Sequence, residues 1–162
     1  MNTARLFHLI AAALIATSSL PAANWPAWRG PRGDGTSLET NVPLRWSPTD
    51  NVAWKTPIPG KGHSSPVVAA GKVFVTACDE PARTRLLLCL DRRDGKVLWK
   101  KTVLSAPLEG KNSLNSYASS TPATDGKRVW ATFLAAPKAW VVCYDADGNE
   151  LWRKSPGEHY SR

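Results

Sequence analysis

Residues able to do chemistry are few and scattered in this 162-residue chain. Ser64 and Ser65 follow His63 directly, but no nucleophile elbow, Ser-His-Asp order or glycine-rich phosphate loop accompanies them. Small hydroxyl residues in an extended run suit close strand packing better than nucleophilic attack. His63, with Lys61 beside it and with Asn115 and Tyr117 at the matching place in a later segment, is the set with binding chemistry. It suits an anionic or polar ligand; the same His and Tyr also suit a role as hydrogen-bonding caps of strand ends. Cys78, Cys89 and Cys143 show neither Cys-x-x-Cys nor His-x-x-x-His spacing, so no zinc pattern is present. They read as buried thiols. Cys89 and Cys143 hold matching positions too far apart to bridge, and a turn near Pro81 sets Cys78 opposite Arg85 rather than Cys89. No catalytic residue and no metal ligand is assigned.

The elements that must carry these residues come from a pattern written twice. The first copy runs His63-Ser64-Ser65-Pro66-Val67-Val68, Gly71-Lys72-Val73-Phe74-Val75, Leu87-Leu88-Cys89-Leu90-Asp91 and Asp94-Gly95-Lys96-Val97-Leu98-Trp99. The second runs Ala118-Ser119-Ser120-Thr121-Pro122-Ala123, Asp125-Gly126-Lys127-Arg128-Val129-Trp130, Val141-Val142-Cys143-Tyr144-Asp145 and Asp147-Gly148-Asn149-Glu150-Leu151-Trp152. Four short apolar runs per unit of about fifty residues are a β-propeller signal. The runs predict strands near 64–69, 72–78, 85–91 and 96–102, then 118–123, 127–134, 139–145 and 149–154. Asp-Gly and Ala-Gly pairs mark the tight turns. Pro66 and Pro122, which cannot donate to a ladder, belong at a strand start or edge. Asn51 to Thr56 resembles the last strand of a unit. The fold class is therefore all-β: two four-stranded antiparallel blades, about 57–102 and 117–154, plus a lone N-terminal outer strand.

Residues 1–23 read as a secretory leader: Arg5, an apolar run from Leu6 to Ala16, then small residues with cleavage near Ala22 or Ala23. The run is too short to span a bilayer comfortably, and no other segment could. Residues 24–49 form an arm rich in Trp, Pro and Gly. Its glycines and prolines forbid regular structure, while Trp25 and Trp28 argue that it packs on something. The net charge of +8 favours anionic partners, but the basic residues form no block and read as a solvated surface. No nucleic-acid partner is expected.

The Asp91-x-x-Asp94-Gly95-Lys96-x-x-Trp99 run resembles the tryptophan-docking motif of the pyrroloquinoline-quinone-like (PQQ-like) β-propeller repeat. Gly148 and Trp152 keep the same Gly-to-Trp spacing in a turn one residue shorter. The resemblance implies that Gly95, Trp99, Gly148, Trp152 and Trp54 are docking residues between blades. It also implies a ring of seven or eight blades, of which this chain would be an N-terminal fragment from an exported bacterial protein. Ser64, Ser65, Ser119 and Ser120 resemble the family's innermost strand. Three functions follow as expectations. The first is a non-enzymatic periplasmic or extracellular scaffold that holds a protein partner. The second is a dehydrogenase using PQQ and Ca²⁺, its site completed by further blades. The third is a sensor or carbohydrate-binding module of a larger surface protein. Asp79, Glu80, Glu109 and Glu158 are the candidate acids for a calcium site, but none forms a cluster with ligand spacing, and the vicinal Cys pair of such dehydrogenases is absent.

Overall fold

The structure, a computed structural model, describes residues 23–159. The expected leader falls almost wholly on residues outside that range. Eight strands make two four-stranded antiparallel sheets. The first blade is β1 (Val67–Ala69), β2 (Lys72–Asp79), β3 (Thr84–Asp91) and β4 (Val97–Ser105). The second is β5 (Ala123–Thr124), β6 (Arg128–Ala135), β7 (Lys138–Asp145) and β8 (Glu150–Glu158). Sheet order follows chain order in both, and the pair does not close into a ring, so the described chain is a partial β-propeller.

Alternation along β3 explains how blade 1 is buried on both faces. Leu87 and Cys89 point into a core shared by the two blades, with Val67, Phe74 and Val103 on one side and Val129, Phe133, Val142 and Tyr144 on the other. Leu86, Leu88 and Leu90 point the opposite way, into a second cluster with Val73 and Ala77 that Trp54 and Ile58 cover. Each such aliphatic side chain contributes roughly 1.5–3 kcal/mol when fully buried. β8 is exposed along its whole length.

Three features differ from the sequence expectation. The innermost strands begin later than 64 and 118, at Val67 and Ala123, directly after Pro66 and Pro122. Proline supplies no N–H to the ladder, and in blade 1 the Ser64 hydroxyl takes over. It accepts from the Thr76 N–H and donates to the Thr76 carbonyl, both at 3.2 Å. Asn51 to Thr56 belongs to no ladder among the described residues. Its own Trp54 and Thr56 side chains hold it instead, by donating to backbone carbonyls of the β3–β4 turn. Finally, the arm meets the inner edges through an isolated antiparallel bridge: Trp25 exchanges both backbone hydrogen bonds with Val68, at 2.7 and 2.8 Å, and the Pro26 carbonyl accepts from Thr124 at 2.9 Å. One short segment thus spans the inner edges of both blades.

Candidate functional site

The junctions that hold the blades in register are built alike. The Trp54 indole N–H donates to the Arg92 carbonyl at 2.9 Å, and the Thr56 hydroxyl donates to the Gly95 carbonyl at 2.7 Å. The Trp99 indole N–H donates to the Ala146 carbonyl at 3.1 Å in the next blade. Gly95 and Gly148 lie beneath these rings at φ of 72° and 85°. A methyl group on Gly95 would sit 2.3 Å from the Trp54 ring, and one on Gly148 would sit 2.9 Å from Trp99. Both the positive φ and the close ring demand glycine there. Trp99 also lies 6.4 Å from Tyr144, the ring planes 29° apart, and 5.9 Å from Phe74. Burial and the hydrogen bond to Glu150 push the Tyr144 hydroxyl up to about 12. Trp152 stands on β8 with 40% of its surface exposed.

The connection between the blades, from Ala106 to Tyr117, is fixed by one buried cation. Arg85 is fully buried on β3, and its guanidinium donates to the Ala106 carbonyl at 2.9 Å and to Glu109 Oε2 at 2.6 Å. It also lies over the Tyr117 ring, 5.5 Å from the centroid, while Lys111 Nζ approaches the same ring at 5.2 Å. Burying a charge is tolerable only when it is paired and hydrogen-bonded, so this contact decides the path of the loop. Further on, Asn115 Oδ1 accepts from the Ser119 hydroxyl and from the Ser116 N–H, which folds the loop onto itself. The loop and blade 2 enclose a half-open cleft of about 240 Å³, lined in part by Glu109, Lys111, Asn115, Tyr117, Phe133 and Leu134.

The structure brings together only part of the candidate binding set. Asn115 and Tyr117 line this cleft. His63 and Lys61 line a neighbouring one with Ser64 and Thr76. The two meet through the backbone, where the His63 N–H donates to Ser116 Oγ at 3.0 Å and to the Ala118 carbonyl at 3.1 Å. The three cysteines are free and buried, and Cys78 pairs with Arg85 in the β2–β3 register. Burial pushes the Cys89 thiol up to about 12 and raises Cys78 and Cys143 as well. Sequence reasoning missed the Arg85–Glu109 pair, although a lone arginine inside Thr84-Arg85-Leu86-Leu87-Leu88 signals a buried acid partner. It also missed where the arm lands.

The candidate acids do not assemble a calcium site among the described residues. Calcium takes six to eight oxygen ligands, and among the described residues no group of three or more His, Cys, Asp or Glu side chains could hold a metal ion. Asp79 caps the β2–β3 turn through the Ala82 N–H at 3.1 Å, and Glu109 is bound to Arg85. Asp91, Asp125 and Asp145 are likewise engaged by turn amides and neighbouring side chains, which lower all three carboxyl groups.

Solved structures that resemble this chain include two dehydrogenases and one assembly factor. The quinohemoprotein alcohol dehydrogenase ADHIIG from Pseudomonas putida HK5 is 24% identical, with a TM-score of 0.42 over 56% of this chain and 12% of its own. A europium-containing methanol dehydrogenase is 21% identical, with a TM-score of 0.42 over 56% of this chain and 15% of its own. BamB from Moraxella catarrhalis is 14% identical, with a TM-score of 0.30 over 64% of this chain and 42% of its own. This chain therefore spans less than half the length of each. No curated protein sequence matches it. A family model described as outer membrane protein assembly factor BamB matches residues 45–161. With most of its length under that match, and two blades joined through Trp99 and Gly148, the chain belongs to this family of PQQ-like repeats.

Proposed function

We propose that this chain is part of an exported, non-enzymatic propeller that serves as a protein-interaction scaffold. The observation that carries the reading is how its chemically able side chains are used. The aspartates of the repeats cap turns, Glu109 neutralises Arg85, and the Trp54 and Trp99 indoles are bound to turn carbonyls of the blade that follows each. What is left for a partner is surface: the cleft beside Tyr117 and Asn115, the nearby His63, and the exposed strand β8. Trp54 with Gly95 and Trp99 with Gly148 serve as docking pairs, and Trp152 is the matching ring for a further blade. A leader removed near Ala22 or Ala23 would deliver the protein to the periplasm or the exterior. Among the described residues no helix is long and apolar enough to cross a membrane.

The test uses the whole natural protein. Cell fractionation and N-terminal sequencing should find it outside the cytoplasm and beginning near Asn24. Titration with PQQ and Ca²⁺ should give no saturable binding, and alcohols or sugars should drive no dye reduction. Stoichiometric quinone binding with turnover would overturn the scaffold reading and install the dehydrogenase one.

A further inference from the structure

The two blades are copies, but their inner edges are finished differently. Backbone direction can be followed from the arm. Val68 turns its N–H and carbonyl away from β2 to Trp25, and Thr124 turns its N–H away from β6 to Pro26. Antiparallel strands alternate the side to which successive residues offer their backbone groups. Phe74, Thr76 and Cys78 of β2 therefore face inward, and so do Trp130, Thr132 and Leu134 of β6, since the registers Val67 with Phe74 and Ala123 with Trp130 correspond. The β6–β7 ladder has no register shift that would break this alternation.

In blade 1 these inward groups are all met. Phe74 pairs with β1, Thr76 is met by the Ser64 hydroxyl, and Cys78 exchanges two backbone bonds with Lys61 at 2.7 and 2.8 Å. The chain reaches that edge because Gly60 and Gly62 allow close approach: methyl groups there would lie 2.1 Å from the Cys78 carbonyl oxygen and 2.7 Å from that of Thr76. In blade 2 the matching segment turns the other way. The Ala118 carbonyl accepts from His63 and Ser64 of blade 1, both at 3.1 Å, and the Ser120 carbonyl accepts from the Thr76 hydroxyl at 3.2 Å. Among the described residues nothing pairs with the inner side of Thr132 or Leu134. The half-open cleft lies at that place, lined by Tyr117, Ser119, Ser120, Thr132, Phe133 and Leu134.

We propose that the inner edge of β6 at Thr132 and Leu134 is a vacant strand position that takes an acidic, glycine-bearing extended segment of a partner protein. Adding a strand to an open edge is a recurring mode of peptide recognition, with affinity from main-chain bonds. At about 240 Å³ the cleft is smaller than the usual small-molecule site, and the β6 register turns the main-chain groups of Thr132 and Leu134 to its side. The glycines follow from blade 1, where the strand in this position needs Gly60 and Gly62. The acid follows from charge. Among the described lining residues Glu109 is the one carboxylate and is tied to Arg85, so Lys111 is the charge that faces an occupant. The proposal rests on the scaffold reading and names the partner class of its cleft.

The probe is a blocked, fluorescent synthetic peptide of the Ile58–Ser65 segment carrying Lys61→Glu, titrated into the whole protein by anisotropy. It should bind saturably and more tightly than the same peptide with Lys61 retained. N-methylation of the amide at position 61, which removes its donor to the Leu134 carbonyl, should weaken it about tenfold. Leu134→Pro removes the facing donor from the protein side and should act alike. Because that variant can fail to fold, the N-methylated peptide decides independently. In the free protein the Thr132 and Leu134 amides should exchange with solvent faster than those of Thr76 and Cys78, and should become protected when the peptide binds. No binding of the acidic probe, no preference over the Lys61 peptide, equal binding of the N-methylated form, or equal protection in the free protein would overturn the proposal. A partner cross-linked elsewhere on the protein, with the probe inert, would leave the scaffold standing and remove the slot; quinone turnover would remove the scaffold itself.

Discussion

Replacing Gly148 with alanine tests whether indole docking holds the blades together. Gly148 and Gly71 share a positive φ, of 85° and 73°. Alanine at either position should cost about 1–2 kcal/mol for entering the left-handed region. Their surroundings differ. A methyl on Gly71 meets nothing within 4 Å, whereas one on Gly148 would lie 2.7 Å from Lys101 Cε and 2.9 Å from Trp99 Cδ2. Lys101 can swing away. Trp99 cannot, because its N–H is bound to Ala146 and its ring lies against Tyr144 and Phe74. Displacing it adds an overpacking cost of about 1–3 kcal/mol. Urea unfolding followed by far-ultraviolet circular dichroism should thus place Gly148→Ala below Gly71→Ala by roughly 1 M in midpoint, taking a slope of about 2 kcal/mol/M. In a Trp99→Ala background, itself costing about 3–5 kcal/mol, that gap should close. Equal midpoints in the parent background, or a gap that survives without Trp99, would refute the docking argument.

Glu109→Gln should destabilise the protein by about 3–5 kcal/mol, because it strands the buried Arg85 charge. The loop Arg85 anchors should then become the first site of limited proteolysis, and Arg85→Met added to Glu109→Gln should recover part of the loss. At acid pH, Asp125 is the group to watch. The amides of Arg128 and Lys127, with the Arg128 guanidinium, hold its carboxyl at about 2 against an ordinary 3.8. A depressed folded value means the stabilisation is full above 3.8 and is lost as pH falls towards 2. Asp125→Asn should therefore flatten the acid limb of the stability–pH curve over that window, measured by chemical unfolding at fixed pH. Cys89, whose thiol burial pushes up to about 12, should resist Ellman's reagent at pH 8 along with Cys78 and Cys143. All three should react once the protein is unfolded, and a native thiol that titrates at once would contradict the burial.

Much of the fold was legible because its signals are short-range. The apolar runs ending at Asp91 and Asp145 locate β3 and β7, and Asp94-Gly95 and Asp147-Gly148 locate the turns after them. Pro66 and Pro122 announced a break in the inner strands, but not that a serine hydroxyl would replace the ladder at Thr76. The binding set was less legible. His63, Asn115 and Tyr117 occupy related places in the repeat, yet the turn formed by Asn115, Ser116 and Ser119 sends Tyr117 into one cleft and leaves His63 at another. Repeat symmetry predicts equivalence, and this loop departs from it.

Residue order alone determined that the chain would form short antiparallel strands in two similar units, because side-chain alternation and turn chemistry act over two to five neighbours. Tertiary structure decided the direction of docking, from Trp54 onto the Gly95 turn and from Trp99 onto the Gly148 turn. It also decided that Trp25 and Pro26 would join the inner edges of both blades, and that Ala118 would give its carbonyl to blade 1 and leave Thr132 and Leu134 open. Each of those outcomes is a competition for backbone donors and acceptors between segments far apart in the chain. Only the assembled blades settle which distant partner each group meets.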